Sequence, residues 1–104
     1  MNSWILLFLA GLFEIGWPLG LKLASVPNYR FLGFFLSIIA LTISGLLLWV
    51  SLKEIHVGIA YAVWTGIGAV GTFVIGVIFF NDPSSILKWL GVFAIISGIV
   101  LLKI

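Results

Sequence analysis

Residues 57–81 read VGIAYAVWTGIGAVGTFVIGVIFFN, a run of 25 residues without one charged side chain. A helix rises about 1.5 Å per residue, so roughly 20 residues cross the roughly 30 Å hydrocarbon core of a bilayer. This run is long enough to span, and three further apolar blocks fall into line around it. Residues 31–52 add 22 uncharged positions, and residues 3–21 are apolar except for Glu14. Residues 86–102 are broken only by Lys88, which with Lys103 can snorkel to opposite interfaces. No block alternates apolar and polar residues as an outer-membrane strand does. The expected fold is all-α and integral to the membrane, one domain over 1–104 with four transmembrane helices at about 3–22, 31–52, 57–80 and 85–103.

Composition gives the same answer by exclusion. The 104 residues are 63% hydrophobic and 8% charged, where a soluble domain carries about 25% charge. A chain this short buries only about two-thirds of its surface, too little to hide so much apolar side chain from water. A soluble globular fold is therefore excluded. The net charge of +2 is small and scattered, which argues against a nucleic-acid partner. The absence of cysteine removes disulfides, thiolate metal sites and cysteine nucleophiles. One histidine and three acids leave little material for an enzyme, and neither a cofactor nor a metal is expected. No Lys or Arg precedes the first apolar block, so that block does not read as a cleavable signal peptide.

The links at 22–30, 53–56 and 81–85 are short, which makes neighbouring helices antiparallel. Asp82, Pro83, Ser84 and Ser85 form a helix-entry signal, with Pro tolerated in a first turn and Ser or Asp able to cap free amides. One membrane side would hold the N-terminal amine, Lys53 and Lys103, and the other Lys22, Arg30 and Lys88. Three positive charges face three, so the positive-inside rule selects no orientation. Either the orientation is weakly set or the chain inserts both ways.

Glu14 is the only acid deep inside an apolar block. A charge at mid-membrane is disfavoured by about 2.5–3.5 kcal/mol on insertion scales. A proton can relieve a penalty of that size, so Glu14 is read as taking up and releasing one. The alternative is a permanently protonated carboxyl bonded to a neighbouring helix. Trp17 lies three residues on and Gly11 three residues back, on adjacent parts of one helical surface. Pro18 removes the N–H that would pair with the Glu14 carbonyl, and a kink is expected there. Trp17 either belongs to an interfacial belt or lines a cavity, and its depth in the block favours the cavity. Tyr61, Trp64 and Gly68 share a face of the third helix, where an aromatic pair offers π-faces to a cation or simply packs. Ser44, midway along the second helix, either bonds its own backbone or holds Glu14. Gly91 and Gly98, seven residues apart, form a small-residue seam suited to helix contact between subunits. His56 reads as a loop residue.

Glu14 in the first of four helices, the run YAVWTGIG at 61–68 and the Gly91/Gly98 seam together resemble the small multidrug resistance family of transporters, over essentially the whole chain. Trp17 and Thr65 are similar to the guanidinium-exporter subtype. Relatives that export bulky quaternary ammonium drugs typically have Ser at the latter position and lack the first-helix Trp. The resemblance implies an antiparallel, dual-topology homodimer in the cell membrane of a prokaryote. There a small organic cation and protons compete for the paired membrane glutamates. By motif position Glu14 would be the coupling carboxylate, with Trp17 and Ser44 fixing it and Tyr61 and Trp64 lining the pocket. His56 departs from a common proline and Pro18 from a usual small residue. The function expected is proton-coupled export of guanidinium and small guanidinyl cations. The alternatives are export of hydrophobic quaternary ammonium cations by the same glutamate, and a non-transporting subunit of a larger membrane partner.

Overall fold

The computed structural model describes residues 2–104; the N-terminal amine of Met1, counted in the charge balance, lies outside them. Four long helices follow one another: α1 at Ser3–Ala24, α2 at Arg30–Ser51, α3 at Val57–Phe79 and α4 at Ile86–Lys103. All four are long and apolar enough to cross a membrane. The Asn2 side chain accepts from the Trp4 N–H at 2.8 Å and caps α1. The helix then runs through Pro18 to Ala24, beyond the expected end at residue 22. A 3-10 turn over Pro27–Tyr29, opened by its proline, leads directly into α2. Within the expected entry signal at 82–85 it is Ser85 that caps α4, its hydroxyl accepting from the Lys88 N–H at 3.3 Å, so the helix starts one residue after the approximate bound of 85.

In lipid, apolar surface gains little by leaving its solvent, so helices associate through close packing and hydrogen bonds. The pair α1/α2 uses both. Ser37, Ser44 and Ser51 recur every seven residues along α2, and all three are buried. The Ser44 hydroxyl donates to the Ala10 carbonyl at 2.6 Å, and the Ser37 hydroxyl donates to the Trp17 carbonyl at 2.8 Å. The acceptors on α1 are also seven residues apart, so the antiparallel helices stay in register across two turns. Near their joined ends glycine permits the closest approach. A Cβ at Gly33 would run into the Gly20 carbonyl oxygen and the Ala24 backbone.

α3 packs against α1 through a small core of Leu7, Ala60 and Val63, closed by Ile55 from the preceding turn. α4 lies along α3, with Ile95 and Ile99 set against Gly66. The Lys103 ammonium sits 5.3 Å from the Trp4 ring centre, and the Lys22 ammonium sits 5.9 Å from that of Phe80. Lys103 and Lys22 therefore mark opposite ends of an up-and-down bundle. The molecule is a slab of 43 × 34 × 18 Å, and Phe31, Phe79, Ile86 and Phe93 stand exposed on its faces. Gly91 and Gly98 lie on an open side of α4, where an added Cβ would touch nothing within the chain.

The α1/α2 contact has a direct test. Gly33→Val should lower stability by about 1–3 kcal/mol, as overpacking does, in denaturant titration of the detergent-solubilised protein. Gly45→Ala, whose Cβ would meet open space, should stay within about 0.5 kcal/mol. A Gly33→Val protein as stable as the wild type would contradict the close approach.

Candidate functional site

Glu14 lies near the middle of α1, about 16 Å along the axis from either end. Its carboxylate accepts a hydrogen bond at Oε1 from the indole Nε1 of Trp17, one helical turn further on. Across from it stands Gly68 of α3, where a Cβ would overlap the Glu14 side chain. Only glycine leaves room for the acid between the two helices. The carboxylate opens into a cavity of about 590 Å³ between α1, α2 and α3. Pro18, Leu41, Tyr61, Trp64, Thr65, Thr72 and Phe73 line it together with Glu14 and Trp17.

The walls are aromatic and mostly apolar. The rings of Tyr61 and Trp64 lie 5.6 Å apart at a tilt of 52°. The Thr65 hydroxyl donates back to the Tyr61 carbonyl at 2.8 Å, which leaves oxygen lone pairs as acceptors at the cavity wall. The Trp64 indole N–H donates to the Ser44 hydroxyl at 2.7 Å, and that hydroxyl passes its own hydrogen to Ala10. Trp64 is thus fixed by a two-bond chain that crosses from α3 through α2 to α1.

Of the residues expected at the site, the structure brings Glu14, Trp17, Tyr61 and Trp64 to one cavity. Ser44 is adjacent but makes neither of the bonds expected of it, to its own helix or to Glu14. Its single hydrogen is committed to Ala10, and it supports the aromatic wall rather than the acid. Trp17 is the hydrogen-bond partner of the carboxylate among the described residues. His56 precedes α3 as an exposed residue with no capping bond, outside the cavity. Gly91 and Gly98 are outside it as well. No cluster of His, Asp or Glu able to hold a metal occurs among the described residues.

Sequence reasoning missed Ser37, Leu41, Thr72 and Phe73. Ser37 carried a signal, since three serines at a spacing of seven in an apolar helix mark one seam. Thr72 lies seven residues after Thr65 on the cavity face of α3. Leu41 and Phe73 carry no such mark. Chemically, the cavity holds one carboxylate against apolar and π surfaces. A charge in such surroundings is tolerated only when paired, and either a proton or an organic cation has the chemistry to pair with it.

Residues 2–95 match the profile of the Small Multidrug Resistance protein family. A guanidinium exporter of Proteus vulgaris is 42% identical over 102 residues, covering 98% of this chain and 97% of its own. Guanidinium exporters of Salmonella typhimurium (strain LT2) and Yersinia pestis are 40% and 38% identical, each over 98% of this chain and over 96% and 97% of theirs. With four helices able to span a membrane and a single acid inside the first, this multi-pass membrane chain belongs to the small multidrug resistance family.

Proposed function

We propose that the protein is a proton-coupled antiporter that exports guanidinium and small guanidinyl cations, working as an antiparallel homodimer. The observation that carries this reading is the Glu14 carboxylate, gripped by Trp17 at mid-depth of a membrane helix and facing an aromatic-walled cavity. Guanidinium is planar, always charged, and offers paired N–H groups that fit a carboxylate in bidentate fashion. The lone-pair acceptors at Thr65 suit the same ligand. Tetraalkylammonium ions have no N–H to give, so a site of acceptors discriminates against them. The names of the relatives point the same way.

One chain supplies one membrane carboxylate, so a clamp of two requires a second copy. An 18 Å slab with its α4 glycines uncovered suits that pairing. Three Lys/Arg or amine charges on each side leave insertion unbiased. Opposed subunits would be related by a two-fold axis in the membrane plane, as inverted repeats are in larger transporters. Exchanging the conformations of the two subunits would then turn an outward-open dimer into an inward-open one of equal energy. Exchange follows if the site changes sides only when protonated or cation-loaded. No cofactor enters the cycle, and the membrane in question is the cell membrane.

In proteoliposomes under a proton gradient, Glu14→Gln should abolish concentrative guanidinium uptake while the dimer remains intact by cross-linking. Continued uphill uptake by Glu14→Gln would remove the proposed coupling, and equal wild-type transport of tetrapropylammonium would replace guanidinium by quaternary ammonium cations. For topology, Lys103→Cys should be labelled by an impermeant thiol reagent from both sides of the membrane. Labelling from one side alone would contradict the antiparallel dimer.

A further inference from the structure

Pro18 weakens α1 one turn beyond Glu14. It has no N–H, so the Glu14 carbonyl lacks its partner at i+4, and a helix in that condition bends readily. A bend there would carry the Trp17 indole away from the carboxylate. The helical assignment runs through Pro18 to Ala24.

Ser37 of α2 ties this stretch of α1 to its neighbour. Its hydroxyl, on a residue 6% exposed, donates to the Trp17 carbonyl oxygen at 2.8 Å. That carbonyl belongs to the tertiary amide joining Trp17 to Pro18, the peptide plane at which α1 would otherwise hinge. Gly20 makes the reach possible, because a Cβ there would occupy the position of the Ser37 hydroxyl. The same Trp17 donates from its indole to Glu14. One residue thus receives a hydrogen bond from α2 at its backbone and delivers another to the carboxylate through its side chain.

We propose that Ser37 is a positioning residue for the cation site: by holding the Trp17–Pro18 carbonyl it keeps the Trp17 indole on Glu14, and so sets how tightly a guanidinyl cation binds. The affinity half of this inference rests on the proposed guanidinium site, whereas the orienting half rests on the two hydrogen bonds alone. Ser51 supplies the comparison. It is another buried serine on the same stripe, but it donates to the Leu48 carbonyl of its own helix at 2.7 Å and does not touch α1 through that bond.

The test uses the full chain in bilayers or micelles, with the Trp17 indole N–H resonance assigned by its loss in Trp17→Phe. Ser37→Ala should displace that resonance in the absence of substrate and raise the KM for guanidinium about three- to ten-fold, the range expected for one lost hydrogen bond. Ser51→Ala should leave both at wild-type values. An unmoved resonance in Ser37→Ala, or an equal displacement in Ser51→Ala, would overturn the orienting role. A displaced resonance with an unchanged KM would overturn the link to affinity. Should the wild type carry no guanidinium, the proposed function and the affinity link fall together, while the resonance still decides whether Ser37 orients Trp17.

Discussion

A carboxylate in the middle of a bilayer must be neutralised or hydrogen-bonded, and the contact between Trp17 and Glu14 is where this chain meets that constraint. An indole N–H is a donor with no proton to lose under physiological conditions. It can hold the acid in place without competing for the charge. Much of the surrounding geometry is arranged for that contact. Gly68 clears the space the acid occupies, and the cavity leaves its open side to aromatic faces rather than to a fixed cation. A lysine at that distance would have satisfied Glu14 permanently and left nothing for a substrate to do.

The α1/α2 pair is the most closely packed part of the molecule. Two serine-to-carbonyl bonds, one on each side of Glu14 in sequence, tie the helices together at a fixed register. Each bond lies in hydrocarbon, where an unpaired hydroxyl or carbonyl has no water to turn to. α3 joins this pair through small residues and through the Trp64–Ser44 bond. α4 is held mainly by α3, with one lysine reaching over Trp4. The helix that carries the unfilled glycine seam is also the one least committed to its own chain. That division suits a subunit whose site is built by α1 to α3 while its outer helix remains available for another contact.

The four helices were legible because length and charge punctuation act within each segment. Residues 57–81 could hardly be anything but a spanning helix, and Trp17 one turn after Glu14 required only helical periodicity. What escaped depends on register between segments. Whether Ser44 faces its own backbone, Glu14 or Ala10 is decided by how α2 slides along α1, and no property of α2 alone fixes that offset. The expected bond to Glu14 gave way to one with Ala10 because the serine hydrogen can be donated only once. The tie at the Trp17–Pro18 peptide escaped for the same reason, since it comes from Ser37 on another helix. Ser85 illustrates the smaller uncertainty at helix ends, where a capping residue and a first helical residue look alike in sequence.

In the proposed cycle, proton and guanidinium occupy one carboxylate in turn. The most direct measurement is proton release on guanidinium binding to the detergent-solubilised protein in weakly buffered solution, at a pH where Glu14 carries its proton. Shared occupancy predicts that guanidinium displaces protons from the wild type, saturating with the binding curve, and that Glu14→Gln releases none. Saturable guanidinium binding by the wild type without proton release at any pH between about 5 and about 8, a range that starts just above the ordinary glutamate pKa of about 4.3, would contradict it.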